Sequence, residues 1–175
     1  MIVLSGPPGA GKSTIARILT SARSPSVHLH SDDFWASIVT GTVPPYLPGS
    51  QHQNQVVMNV LATAALGYAR GGYHVVVDGV VGPWFIGEFR ITAAGTGIAL
   101  HYVIIRPDEQ TTLCRAAGRA EGALTEPGPV QEMYRQFLRL GEYEPHVIDS
   151  SGLGPDATAQ LVSGGLAAGR FLLNP

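Results

Sequence analysis

The chain has 175 residues, a mass of 18.4 kDa, 45% apolar residues and a formal net charge of −2 at pH 7. This length is typical of one domain that buries roughly 70% of its unfolded surface, and the composition excludes a disordered or fibrous chain. The small net charge excludes bulk electrostatic attraction to nucleic acid or to an anionic membrane, so the sequence predicts neither partner.

Cysteine content and hydropathy limit the cellular setting. Cys114 is the only cysteine, which excludes an internal disulfide, and the first strand-like run begins at Ile2, which leaves no room for a signal peptide. No apolar run approaches the ~20 residues of a membrane span. We therefore expect one cytoplasmic domain over residues 1–175, as a monomer or a homodimer.

Short apolar runs alternate with longer segments of helical periodicity along the chain. Strands are predicted at 2–4, 27–29, 74–77, 99–105 and 147–148. Helices are predicted at 11–22, 31–39, 53–69, 82–94, 107–115, 129–140 and 155–168. Nearly every residue of the third and fourth strands is apolar, which indicates burial on both faces. The alternation predicts an α/β fold of three layers, in which a five-stranded parallel sheet carries helices on both faces.

The segment GPPGAGKST, residues 6–14, lies between the first predicted strand and the first predicted helix. Glycines let successive backbone N–H groups face one hollow, and a helix N-terminus adds partial positive charge, so phosphate oxygens fit there. Lys12, the only lysine in the chain, is expected to contact the β- and γ-phosphates, and the Ser13 hydroxyl to bind Mg²⁺. An ordinary glycine-rich turn is the alternative. The predicted ATP-binding residues are Gly6, Gly9, Ala10, Gly11, Lys12, Ser13 and Thr14.

Three carboxylates follow predicted strands. Asp32, Asp33 and Asp78 are the only acidic residues before Glu88, and the carboxyl ends of parallel strands form the ligand-binding edge of an open sheet. Phosphoryl transfer to a hydroxyl needs a carboxylate that takes the proton and acidic groups that hold magnesium. Asp78 is predicted to bind Mg²⁺ or substrate, and Gly79 to let a ligand approach the backbone. The alternatives are a helix cap for the first pair and a polar end to a buried strand.

The combination of GPPGAGKST, HSDDF and YHVVVDGVV resembles the small single-domain P-loop kinases, the group of zeta toxins, chloramphenicol phosphotransferases and gluconate and shikimate kinases. The resemblance covers most of the chain. It implies a P-loop NTPase sheet of order 2-3-1-4-5 with a small lid after the fourth strand. It also implies that Asp32, with Asp33 as the second choice, contacts the acceptor hydroxyl, and that Asp78 helps to position substrate or magnesium.

The segment CRAAGRAEGALTEPG contains the predicted lid at residues 115–128. Arg115 and Arg119 are four residues apart and share one face if the segment is helical. Lid arginines of similar kinases close over ATP and stabilise charge on the transferring group. We therefore expect both arginines to bind ATP and Arg119 to be catalytic. Surface pairing with Glu121 or Glu126 is the alternative.

The acceptor pocket is expected between residues 34 and 90. Arg90 is the candidate for binding a charged group of the acceptor, although a phosphate on the acceptor usually needs more than one cationic side chain. Large aromatic side chains favour a planar or largely apolar acceptor with a free hydroxyl, or else belong to the core. These side chains are Trp35, Tyr46, Trp84 and Phe85.

Two further features of the sequence concern a loop and the histidines. The segment TGTVPPYLPGSQ, residues 40–51, has three prolines and two glycines and predicts a loop that moves. The six histidines do not have the spacing of metal ligands, and we interpret them as structural.

These features together predict an ATP-dependent phosphotransferase that moves the γ-phosphate to a hydroxyl of a small-molecule acceptor. Lys12, Asp32 and Arg119 are its predicted catalytic residues. A nucleoside monophosphate kinase is an alternative that Arg90 and the lid arginines would have to support. A zeta-toxin-like nucleotide-binding regulatory module is the alternative from a different class.

Overall fold

A computed structural model describes residues 1–118 and 124–173 of the chain. Its sheet has five parallel strands in the order β2-β3-β1-β4-β5, which confirms the expected order 2-3-1-4-5. The strands are β1 Ile2–Ser5, β2 Ser26–His30, β3 His74–Asp78, β4 His101–Ile105 and β5 Val147–Ile148.

Helices connect the strands and begin with residues that suit a helix N-terminus. Three of them have proline in the first turn, where a backbone N–H has no acceptor within the helix, so its absence costs no hydrogen bond. The helices are α1 Lys12–Ser21, α2 Ser31–Ala36, α3 Gln51–Arg70, α4 Pro83–Ala93, α5 Glu109–Ala117, α6 Pro127–Arg135 and α7 Pro155–Ala167, with a 3₁₀ helix at Gly141–His146. Among the described residues, no helix is both long and apolar enough to cross a bilayer.

The hydrophobic core lies on both faces of the sheet. Successive side chains of a strand point to opposite faces, so Val75 and Val77 pack into the cluster that contains Met58 of α3 and Phe89 of α4. Val76 packs into the other cluster, with side chains of α1 and α7. Burial on both faces explains why these strands are continuously apolar.

The strand register brings the carboxyl ends of three strands to one place. In the β2–β3 pair, His28 lies opposite Val76 and His30 lies opposite Asp78. In the β1–β3 pair, Leu4 lies opposite Asp78. The turn after β1, the start of α2 and the end of β3 are therefore adjacent, and the candidate site is built there.

Candidate active site

Both backbone conformation and close packing require glycine at two positions of the loop between β1 and α1. Gly6 and Gly9 have φ angles of +140° and +85°, which L side chains rarely adopt. A Cβ on Gly6 would lie 2.0 Å from the Ile105 carbonyl oxygen, and one on Gly9 would lie 2.4 Å from the Thr112 carbonyl oxygen. The loop therefore packs against the end of β4 and against α5 so closely that only hydrogen fits.

Lys12 and Ser13, the two residues of the loop with predicted chemical roles, are held by specific contacts. The Lys12 side chain is buried, and its Nζ donates to the Pro7 carbonyl oxygen at 2.9 Å. The Ser13 hydroxyl donates to Oδ2 of Asp78 at 2.5 Å. The sequence-predicted phosphate loop and the predicted Asp78 are thus in direct contact.

A cavity of about 390 Å³ lies beside the phosphate loop. Its walls include residues 9–15, Arg115 and the loop after β5. The Arg115 guanidinium donates to the Leu153 carbonyl oxygen at 3.3 Å, so this predicted ATP-binding residue does line the cavity. Ser150 also lines it, and its buried hydroxyl has no hydrogen-bond partner within the described residues. Buried polar groups of native proteins usually have a hydrogen-bond partner, which is either a protein group or an ordered water.

The predicted lid is described in part. Residues 115–118 end α5, and residues 124–128 lead into α6. Arg119 lies outside the described residues, and its expected role stays a prediction.

Asp78 is the centre of a hydrogen-bond network that joins three elements. Its side chain is fully buried. Oδ1 accepts from His28 Nε2 at 2.7 Å and from His30 Nδ1 at 2.9 Å, while Oδ2 accepts from Ser13. The network ties β2 and β3 to the first turn of α1.

The electrostatics of this network keep Asp78 ionised. Burial alone would raise the pKa of the Asp78 carboxyl, but the hydrogen bonds from His28, His30 and Ser13 outweigh burial and hold that pKa well below its usual value. The hydrogen bond to Asp78 raises the pKa of His30, against the opposing effect of burial, and Asp32 and Asp33 add to the rise. A buried carboxylate is thus stabilised by donors rather than left uncompensated.

His28 and His30 are the residues that the sequence analysis undervalued. It interpreted them as structural, whereas both contact the carboxylate that carries the expected metal or substrate role. Residues i and i+2 of a strand share a face, so the pattern His-x-His ahead of Ser-Asp-Asp placed both imidazoles on one side. Which residue they face depends on the β2–β3 register.

Asp32 and Asp33 differ in what they face. Asp32 lines the second cavity described below, its side chain is 65% exposed, and its Oδ2 lies 3.5 Å from His30 Nε2. Asp33 is exposed and does not line that cavity. Of the two, Asp32, the first choice of the sequence analysis, is the one that lines this cavity, and its contact with an acceptor stays a prediction.

Glycine is needed at position 79 for a different reason from the expected approach of a ligand to the backbone. A Cβ at Gly79 would lie 2.2 Å from the Ser31 hydroxyl oxygen, so the glycine makes room for a buried serine at the start of α2. The carbonyl of Val81 accepts hydrogen bonds from the hydroxyls of Ser5 and Tyr102, at 2.7 Å and 2.5 Å. These contacts fix the loop after β3, and Gly79 still lines the second cavity.

The second cavity has a volume of about 940 Å³ and opens beside α2, α3, α4 and α6. Lys12 and Ser13 line both cavities, so the two meet at the end of the phosphate loop. All four aromatic residues expected at the acceptor pocket line it. Arg90 does not: it lies on α4 with its guanidinium 3.5 Å from the Tyr143 hydroxyl.

Comparisons with known proteins agree with this geometry. The chain's fold is similar to a sugar kinase from Janibacter sp. HTCC2649, with TM-score 0.68 and 18% identity over 95% of this chain and 93% of that chain. It is similar to the tunicamycin resistance protein of Deinococcus radiodurans, with TM-score 0.67 and 19% identity over 99% and 98%. It is also similar to a gluconokinase from Sinorhizobium meliloti 1021, with TM-score 0.65 and 17% identity over 95% and 91%.

These likenesses confirm a small P-loop kinase fold. At identities of 17–19% they show the fold and not the reaction or the substrate. No curated protein gave a significant sequence match. The model of the AAA domain family matches residues 1–140, which include the phosphate loop and the first four strands. On that match, the chain belongs to the AAA domain family.

Proposed function

We propose that the protein is a P-loop phosphotransferase that moves the γ-phosphate of ATP to a hydroxyl of a small molecule. One observation carries the proposal: two cavities meet at Lys12 and Ser13, and a solvent-exposed carboxylate, Asp32, lines the larger one. A nucleotide switch needs one site, whereas a transferase needs donor and acceptor sites that share the point of transfer.

The smaller cavity suits the nucleotide. Its glycine-rich loop leaves no room for Cβ atoms at Gly6 and Gly9, and α1 begins at Lys12, so backbone N–H groups and a helix N-terminus face the position of an anion. Arg115 and Ser150 also line this cavity, where they would contact the rest of the nucleotide. ATP bound here would supply the phosphoryl group.

The oxygen donors of Ser13 and Asp78 suit magnesium, which prefers hard oxygen ligands and retains water. Oδ1 of Asp78 accepts from two imidazoles and Oδ2 accepts from the Ser13 hydroxyl, so the Ser13 oxygen would bind the ion and Asp78 would act by orienting that hydroxyl. Within the described part of the chain, no group of three or more acidic, histidine or cysteine side chains forms a metal site. We therefore expect Mg²⁺ to be held mainly together with the nucleotide.

The chain's own residues have separate tasks in the transfer. Lys12 places positive charge at the junction of the cavities, and Asp32 receives the proton of the acceptor hydroxyl. The acceptor oxygen forms a bond to the γ-phosphorus, the bond from that phosphorus to the bridging oxygen of ADP breaks, and the proton passes to Asp32. His30 lies between the two carboxylates, with Nδ1 directed to Asp78 and Nε2 directed to Asp32.

The test is ADP release and phosphate incorporation, measured with Mg-ATP against a library of hydroxyl compounds. Lys12→Ala is the negative control, because it removes the lysine ammonium group and leaves the other residues that line both cavities. Turnover by the wild type that is absent in Lys12→Ala supports the proposal. Failure of the wild type to bind ATP with Mg²⁺ by calorimetry contradicts it.

A further inference from the structure

The larger cavity has an apolar wall that the protein's own core leaves uncovered. Trp84, Tyr46 and Leu47 are each more than 40% exposed, and all three line this cavity. Phe85, next to Trp84 on α4, and Met133 on α6 extend the apolar surface. Exposed apolar side chains that converge on one concave site are typical of a surface that a ligand covers.

This wall is held in place by the protein itself. The Gln53 amide accepts from the Val43 N–H at 2.9 Å and donates to the Val43 carbonyl oxygen at 2.7 Å. The Asn54 amide donates to the Pro45 carbonyl oxygen at 2.8 Å and accepts from the Trp35 indole N–H at 3.0 Å. The segment between α2 and α3 is therefore tied to α3, and its apolar side chains are presented without a ligand to order them.

Charge on the described walls argues against an anionic acceptor. Asp32 and Glu132 are carboxylates that line the cavity. Its described cationic groups are Lys12, which lies in the phosphate loop, and His30, which contacts Asp78. No arginine lies among the described lining residues. A carboxylate or phosphate on the acceptor would therefore face two like charges and would lack the bidentate partner that such groups usually have.

We propose that the acceptor is an uncharged hydroxyl compound with an aromatic or alicyclic apolar body, which packs against Trp35, Trp84 and Phe85 while its hydroxyl reaches Asp32. This inference rests on the proposed phosphotransferase function and deepens it by naming the substrate class. Neutral amide side chains at the start of α3 and just after α6 provide hydrogen-bonding partners for such a compound; they include Gln51, Gln55 and Gln136.

The test compares pairs of compounds in which a neutral hydroxymethyl group of one member is a carboxylate in the other. Phenyl β-D-glucoside is paired with phenyl β-D-glucuronide, and 1,4-benzenedimethanol is paired with 4-(hydroxymethyl)benzoate. Binding is measured by ligand-observed NMR with the nucleotide site filled by a non-hydrolysable ATP analogue and Mg²⁺. We expect the neutral member of a pair to bind at least about tenfold more tightly, and Gln136→Arg, which adds a cation to the wall, to reduce or reverse that preference.

Variants on α4 test the apolar contact. Trp84→Ala is expected to weaken binding of the neutral compounds by about fivefold or more, and Trp84→Phe to recover most of that loss. Ile91→Ala is the matched control, because Ile91 lies on the same helix, is 73% exposed and does not line the cavity. Thermal melting of each variant checks that the fold is retained.

Each result has one meaning. Equal or tighter binding of the anionic members overturns the inference. So does an absence of binding by all neutral members at about 10 mM in a protein that binds the ATP analogue, and the phosphotransferase proposal then still stands. If the ATP analogue itself does not bind, both proposals are overturned.

Discussion

Asp32→Asn is the sharpest test of the proposed chemistry, because it removes a proton acceptor and changes almost nothing else. The Asp32 side chain is 65% exposed, and its described contacts are long: 3.3 Å to the Ser31 hydroxyl and 3.5 Å to His30 Nε2. Such contacts are weak in water, so we expect the free energy of unfolding to change by less than about 0.5 kcal/mol.

The expected effect on turnover is much larger. Loss of a general base typically lowers the rate by about 10²–10⁴, which corresponds to about 3–5 kcal/mol of activation free energy. ATP affinity should stay the same, because Asp32 does not line the nucleotide cavity. The measurements are ADP release with an acceptor from the library, ATP binding by calorimetry and thermal unfolding.

Asp33→Asn is the matched control for this prediction. Asp33 is the next residue in the chain and is exposed, but it does not line the acceptor cavity. We expect it to retain wild-type turnover. If Asp32→Asn turns over at the wild-type rate, or if Asp33→Asn is the variant that loses activity, the assignment of Asp32 as proton acceptor is refuted.

Three further predictions concern the parts that position the site. Gly79→Ala would place a Cβ 2.2 Å from the Ser31 hydroxyl oxygen, and we expect denaturant titration to give a loss of about 1–3 kcal/mol. Gln53→Ala removes both hydrogen bonds to Val43, and we expect faster amide exchange there and an acceptor KM raised about tenfold at unchanged ATP KM. Asp78→Asn removes the buried carboxylate, and we expect a loss of about 3–5 kcal/mol at pH 7. Because donors hold the pKa of Asp78 below its usual value, its stabilisation is present above about pH 4 and declines as the pH falls further, so the difference from wild type should narrow in acid.

Two of these predictions have a matched control in the chain. Gly67→Ala lies in α3 with no atom within 4 Å of the added Cβ, and it should stabilise the protein by about 0.5–1 kcal/mol. His52→Ala, next to Gln53 and exposed, should leave the acceptor KM unchanged. Each contact is contradicted by one result. These results are a wild-type dependence of stability on acid pH in Asp78→Asn, an unchanged acceptor KM in Gln53→Ala, and an unchanged free energy of unfolding in Gly79→Ala.

Local chemistry made part of this molecule predictable from its sequence. The phosphate loop is a short motif whose glycines, lysine and helix start are consecutive, so no long-range information is needed to place it. Asp32 and Asp78 follow apolar runs, and parallel strands bring their carboxyl ends to one edge. The resemblance to P-loop kinases supplied the strand order, which the structure confirms.

The remaining features depend on contacts between distant segments. His28 and His30 reach Asp78 through a register that pairs residues about fifty positions apart, and a shift of one residue would turn both imidazoles to the opposite face. The need for glycine at position 79 arises from a serine on another element. The loop at 40–51 has the composition of a moving segment, yet Gln53 ties it to α3 through the backbone of Val43. Periodicity and composition do not encode such pairings.

The two carboxylates at the strand ends are made different by their surroundings. Asp78 is fully enclosed and accepts from three donors, so it stays ionised and has no free position from which to take a substrate proton. Asp32 begins the neighbouring helix, is mostly exposed, and faces the cavity that an acceptor would enter. His30 lies between them, with one ring nitrogen toward each carboxylate. A proton acceptor must be accessible to its substrate, whereas a group that orients its neighbours is best enclosed. This difference supports our proposal that Asp32 takes the proton and that Asp78 orients Ser13 and His30.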